Sequence, residues 1–322
     1  MLRIRLTSSL ISLTSLLAAC SGGGGGSAKL EVAASAEDTI TQGLQAGTDE
    51  ESIADGWDVA FDKYIAVLGD VHLISATDDS VEADAAELYA IDLARAPSSG
   101  FGLWSFDGLA EGRYEFGYSL AIGSESTRHD SVSEEDFARM GDWSYLIVGA
   151  LTQEGGVSCP PEALADVGGR APDSTSDAGV PCFANPRVEF EIGTELETAY
   201  SHCQIDGVPG VAVTNDRTSS AALTIHGDHV FFNGFPEGDE GTVVRRAQWL
   251  ADCDLNLDGS VTQAELEQVK PADLPSLGDV PLGGSPITPV DSMWTYVRAQ
   301  LKSQGHFEGE GECALDGAAH SH

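Results

Sequence analysis

The chain has 322 residues, and its 52 Asp+Glu against 16 Lys+Arg leave a formal net charge of −36. That balance excludes nucleic acid or an anionic lipid surface as a natural partner, because both would be repelled. The acid is spread along the chain rather than blocked, so most of it reads as solvated surface.

Arg3 and Arg5 form a positive n-region, followed over residues 6–17 by an apolar stretch diluted with Ser and Thr. The stretch is too short and polar for a membrane span and reads as a removable signal. Leu17-Ala18-Ala19-Cys20 resembles the lipobox of bacterial lipoproteins. The resemblance implies removal of residues 1–19 and lipidation of Cys20. It also implies a cell-envelope address, with Ser21 favouring the outer membrane, on its periplasmic or surface face. An ordinary signal peptide with a coincidental Cys is the competing reading. The five glycines at 22–26 form a flexible tether. Residues 28–52 are small and polar with two acidic clusters, and no structure is assigned to them. About 270 residues then remain, enough for one large domain or a domain with an appendage. The division expected is leader 1–19, lipidated tether 20–52, a β domain 53–235 and a C-terminal region 236–322.

Trp57-Asp58-Val59-Ala60-Phe61 alternates, and residues 64–73 continue with Val67 and Val71. Further strands are predicted at 87–93, 101–106, 112–122, 143–152, 187–193, 197–204 and 221–232, separated by Gly, Pro, Asp and Ser clusters. Many short strands with turn signals predict a mainly β fold, an antiparallel β-sandwich or barrel, the sandwich being preferred. One helical insert interrupts them: Ser133 followed by Asp136 resembles a capping box, and Gly141 stops the helix. Phe61-Asp62-Lys63-Tyr64, Gly69-Asp70-Val71-His72-Leu73, Ile91-Asp92-Leu93 and Gly112-Arg113-Tyr114 resemble pieces of a group of β-rich envelope lipoproteins. That group includes the copper-associated MbnP-like proteins. The resemblance covers residues 56–150, and no functional residue is carried across.

Setting Cys20 aside, five cysteines would face an oxidising compartment. Cys159, before Pro160-Pro161, and Cys182, after Pro181, bracket a Gly/Asp/Ser-rich loop and are expected to pair. Cys203 and Cys313 are the expected second bridge, with Cys253 free. Sequence alone does not decide connectivity.

Ile225-His226-Gly227-Asp228-His229 places two imidazoles and a carboxylate within four residues. On a strand His226 and Asp228 share a face, and a bulge at Gly227 would bring His229 round to join them. The set could then hold Zn²⁺ or Cu²⁺, with His72, His202 or His306 as a distant fourth ligand. A structural Asp–His pair at a strand end is the competing reading. His320 and His322 lie on an acidic, Gly-rich tail.

Residues 254–265, Asp-Leu-Asn-Leu-Asp-Gly-Ser-Val-Thr-Gln-Ala-Glu, match the EF-hand pattern D-x-[DN]-x-[DN]-G-x5-E at every constrained position. The resemblance implies Ca²⁺ on Asp254, Asn256 and Asp258, the Ser260 carbonyl, Thr262 directly or through water, and both oxygens of Glu265. A helix capped by Thr242 is expected to enter the loop. A second should leave near Gln263 and end at Pro271. No second loop of this quality occurs. Farther on, Thr288 and Pro289 predict the start of one more amphipathic helix carrying Val290, Met293, Val297 and Leu301, with Gly305 at its end.

There is no nucleophile elbow, H-E-x-x-H, C-x-x-C or Walker loop, so the expectation is a protein without catalytic activity. The reading is a membrane-anchored, calcium-stabilised lipoprotein, a structural or surface-binding module whose partner would be a surface protein or glycan. The alternative is a transition-metal protein using His226, Asp228 and His229.

Overall fold

The computed structural model describes residues 27–77, 79–215, 217–235, 243–278 and 280–315. The leader, Cys20, Thr242, His320 and His322 lie outside them. The fold is mainly β, with mostly antiparallel sheets and none closed among the described residues.

The strand Asp58–Ser75 organises the largest sheet. At about 3.3 Å per residue it is long enough to serve two sets of neighbours. Its first half pairs with Tyr145–Thr152 and its second half with Gly112–Leu120, both antiparallel. Bulges at Phe61/Lys63 and Gly69/His72 let it bend between the two. Beyond these lie Arg187–Thr194 on one side and Thr198–Ile205 on the other. Tyr64, Ala66, Leu68, Val71 and Leu73 face the main core, while Ile65 and Val67, on the opposite face, are buried in a smaller apolar cluster with Leu146 and Met140.

A four-stranded sheet is built round Ala28–Ala36. This corrects the unstructured assignment of 28–52. Ala28, Leu30, Val32 and Ala34 point inward at 0% exposure. The alternation is present but carried partly by alanines, and pairing from distant segments completes it. The strand lies antiparallel to Phe101–Leu109 and parallel to Thr218–Ile225, which pairs in turn with Gly305–Phe307. One hydrophobic cluster takes in side chains from both large sheets and from the C-terminal helix.

The helices differ in extent from expectation. Glu134–Met140 is capped by Ser133 Oγ, which accepts from Asp136 N at 3.1 Å. The helix entering the 254–265 loop is short, only Gln248–Ala251. Residues 244–246 are drawn off into backbone bonds with Asn233, Ala54 and Phe231 in turn, and Asp55 accepts from Ala247 N at 3.0 Å and Gln248 N at 2.9 Å, fixing the start. The C-terminal helix is Met293–Lys302, capped by Ser292, so Thr288 and Pro289 precede it. The strand expected to run to 232 ends at Ile225, and Asp228–Phe231 forms a 3-10 turn.

Disulfides join Cys159 to Cys182 and Cys203 to Cys313, and Cys253 is a free, buried thiol. The second bridge spans 110 residues and the first 23. In the chain-entropy account the longer loop gains more. Replacing Cys203 and Cys313 with serine is expected to lower the urea-unfolding free energy by about 2–5 kcal/mol. The Cys159/Cys182 pair should cost about 1 kcal/mol less; equal or reversed losses would contradict the entropic argument.

Candidate metal centre

Two donor clusters stand out. The first forms where three strand ends meet. Ala36 pairs with Ile225 in parallel register, and Glu37 N donates to Ile225 O at 3.1 Å, so Glu37 and His226 leave their strands side by side. Across the sheet Thr224 faces His306 in antiparallel register, so His306 lies diagonal to His226 on one face. The 3-10 turn then brings His229 round to the same place. His226, His229 and His306 each offer a nitrogen, and these atoms lie within 4.8 Å of one another.

Of the sequence-predicted ligands, His226 and His229 are therefore joined by His306, while Asp228 is diverted. Its Oδ2 accepts from Arg245 Nε at 2.7 Å and from Nη2, while its Oδ1 has no hydrogen-bond partner although the residue is 1% exposed. The turn that corrects the strand prediction also explains this. It rotates Asp228 away from His226 instead of keeping them on one face. His72 lies elsewhere, near Asp70 O, and His202 faces Glu115 at the surface.

Partner chemistry sets two of the tautomers. Ser303 Oγ donates its single proton to Gln300 O at 2.8 Å, so at 2.9 Å it must accept from His229 Nδ1. Nε2 of His229 is left as the lone-pair nitrogen, with Ser303 orienting the ring as outer partners of metal-bound histidines do. His226 Nε2 lies 3.0 Å from Gly309 O, which only accepts, so Nε2 carries hydrogen. Its Nδ1 faces Glu37 Oε2 at 3.5 Å. His306 Nδ1 is buried and has no hydrogen-bond partner. The rings of His226 and His306 stack at 3.9 Å, and His229 meets His306 edge-on at 5.1 Å.

Burial pushes His229 down to about 3, helped by His226 and Arg245, and pushes His306 down to about 3, helped by His226 and His229. Both imidazoles are thus neutral donors at pH 7. Burial also raises the Glu37 carboxyl, offset in part by the hydrogen bond from Thr39 and reinforced by Asp228. Glycine at 305 is required by close approach: a Cβ there would meet the Tyr200 ring at 2.3 Å and Tyr118 Oη at 2.7 Å.

The second cluster is the 254–265 loop. Leu257 and Gly259 take positive φ of 58° and 84°, the latter the turn for which glycine suits this position. Backbone amides converge on the ligand carboxylates. Asp258 N donates to Asp254 Oδ1 at 3.2 Å, Gly259 N to Asp254 Oδ2 at 2.9 Å and Ser260 N to Asp258 Oδ1 at 2.9 Å. Glu265 accepts from Leu255 N through Oε1 and from Thr262 N through Oε2, at 3.0 and 2.9 Å, and closes a capping box with Thr262 over the helix Gln263–Gln268. From outside the loop, Asn185 Nδ2 donates to Asp254 Oδ2 at 2.8 Å. Ser260–Val261 pairs in parallel with Glu189 and Phe190, adding to the edge of the large sheet. Just before the loop, burial raises the Asp252 carboxyl to about 6, against hydrogen bonds from Ser276, Cys159 N and Gln248.

Compared with known proteins, the chain matches no family model, and no curated protein or solved structure is similar to it.

The depressed histidines make a pH prediction. The unfolded chain takes up protons on His229 and His306 near 6.5, and the folded chain only near 3. Stability should therefore fall as pH drops through that window. Glu37, with its raised carboxyl, tilts the opposite way. Replacing His229 with Asn should make the acid limb of stability against pH shallower by up to about one proton. An unchanged slope would show that the imidazole is not held neutral.

Proposed function

We propose that this protein is a transition-metal-binding lipoprotein of the bacterial cell envelope. It holds a copper(II) or zinc ion on His226, His229 and His306, and carries a structural calcium ion in the 254–265 loop. The observation that carries the first part is the gathering of three imidazoles, two from the end of Thr218–Ile225 and the turn after it and one from the neighbouring strand Gly305–Phe307, with His306 Nδ1 buried and unpartnered. Imidazole nitrogen suits Zn²⁺ and Cu²⁺, and His229 has the outer hydrogen bond that fixes a ligand's tautomer. The copper association of the MbnP-like group agrees with this, though the resembling segments contain none of the three histidines. Calorimetric titration with Cu²⁺ and Zn²⁺ separately tests it. One equivalent should bind, with affinity reduced at least about tenfold in His229→Ala or His306→Ala and unchanged in Glu265→Ala. Tight uptake that survives both histidine changes would sink the assignment.

The calcium reading has its own support in the EF-hand pattern and the prearranged loop. EF-hands usually work in pairs. Here the sheet edge at Glu189–Phe190 occupies the place of the missing partner, and Asn185 steadies the first ligand. We read the two larger sheets as the faces of a β-sandwich, with Ca²⁺ locking the helix–loop–helix against one edge. That is the part of a structural or adhesion-type module presented by a lipid anchor at Cys20 to a surface protein or glycan, without enzymatic activity. After chelation, thermal unfolding should shift upward with Ca²⁺ at concentrations near 10⁻⁴–10⁻³ M, the range of extracellular modules. At a hundredfold excess over Kd the gain is about 2.7 kcal/mol. The shift should vanish in Asp254→Ala; a Ca²⁺ shift that persists there would place the ion elsewhere.

A further inference from the structure

The three-histidine pocket has a second donor set at its rim. Glu37 and Glu310 each bring a carboxylate oxygen within 4.8 Å of a nitrogen of His226 and of each other. Glu37 is partly buried and Glu310 exposed, so the two sets share His226 and step from solvent inward. Both carboxylates are placed by the fold. Glu37 follows the end of the parallel pair Ala36–Ile225. Glu310 sits in the turn closed by reciprocal bonds between Phe307 and Gly311, in which Gly309 O also receives His226 Nε2. The Cys203–Cys313 bridge fixes the far strand of that hairpin.

We propose that Glu37, His226 and Glu310 form an outer divalent-cation site, the station from which an ion passes to His226, His229 and His306. The proposal rests on reading the histidine pocket as a metal centre. Two observations favour it over a simple Glu37–His226 ion pair. First, charge is unbalanced. Glu37 and Glu310 flank His226, and the guanidinium of Arg245 is spent on Asp228 Oδ2. Asp228 Oδ1 is left buried without a partner, and its charge reaches both Glu37 and His306. A divalent cation would neutralise what the side chains do not, and a negative mouth raises the local concentration of cations. Second, His226 has one nitrogen to offer. Its Nε2–H is held by Gly309 O, so Nδ1, which faces Glu37, is the nitrogen available to an ion. One ion at a time can use it, which makes the two sets successive positions. Two carboxylates and one imidazole at an open rim suit Mn²⁺, Zn²⁺ or Cu²⁺ weakly, whereas the inner set of nitrogen donors favours Cu²⁺ and Zn²⁺.

The test has two arms on the full-length folded protein. In the His229→Ala/His306→Ala variant, its fold checked by circular dichroism, titration with Zn²⁺ and Mn²⁺ should show one weak site that Glu37→Gln removes. In the otherwise unaltered protein, E310Q changes an exposed side chain and should slow stopped-flow loading of Cu²⁺ about tenfold at low salt, with equilibrium affinity within about threefold. Absence of the weak site in the folded double variant overturns the outer site while leaving the pocket standing. So does an E310Q protein whose affinity falls while its loading rate is unchanged, since Glu310 would then be a ligand of the final site. If the unaltered protein takes up neither Cu²⁺ nor Zn²⁺, the pocket reading itself fails.

Discussion

The pairing of Thr218–Ile225 with neighbours on both sides is the constraint on which the histidine cluster depends. A parallel strand on one side and an antiparallel strand on the other fix two registers at once, Ala36 to Ile225 and Thr224 to His306. A slip of one residue in either would turn a donor to the opposite face. The register is held by burial: Leu30, Val32 and Ala34 on one strand, Leu223 and Ile225 on the next, and Phe307 on the third are all nearly inaccessible. Each fully buried Val, Leu, Ile or Phe side chain contributes about 1.5–3 kcal/mol, so the core, rather than contacts among the polar groups, sets where the imidazoles sit.

The two candidate centres are joined by one helix. Met293 N donates to Val269 O at 2.7 Å, tying the start of Met293–Lys302 to the exit of the 254–265 loop. At its other end, Ser303 orients His229 and Gln304 O accepts from His226 N. Between these ends Tyr296, Val297, Ala299 and Leu301 are fully buried. The helix that looked on sequence like a packing element is that, and it also gives both clusters a common rigid support. The Cys159–Cys182 staple belongs to the same assembly, because Cys159 N bonds Asp252, two residues ahead of Asp254.

What could be read from the sequence follows the range of the interactions involved. The 254–265 pattern is twelve contiguous residues whose bonds are nearly all internal, so its pattern stands complete in the one-dimensional text. The strands at 58–75, 112–120, 145–152 and 187–194 alternate strongly enough to be seen alone. Ala28–Ala36 alternates too, but alanines fill half its inward positions, and its pairing partners lie about 70 and 190 residues away along the chain. That one omission hid Glu37 from the site. His306 was legible only as one of three distant candidates, because its neighbours in the chain say nothing of a register with Thr224. Asp228 departs from expectation for a local reason: the strand predicted to run to 232 ends at Ile225, and Gly227 opens a 3-10 turn where a bulge would have kept the strand going. Asn185, Asp55 and Ser303, which steady the two clusters, carry no sequence signal beyond being polar.

Burying imidazoles is a poor way to build a core. Each one held neutral against its ordinary protonation weakens the fold in acid, and an unpartnered ring nitrogen away from water forfeits the hydrogen bonds it would make there. Apolar side chains of similar size would fill the same space without either penalty. This fold instead brings three histidines from two neighbouring strands into ring contact, gives one of them a tautomer-fixing serine and leaves another's nitrogen open. It also places an unpartnered aspartate oxygen beside them. Buried polar atoms without partners are uncommon in folded proteins and call for a cause. On the proposed reading, a bound cation would complete the open imidazole of His306 and balance the carboxylate of Asp228.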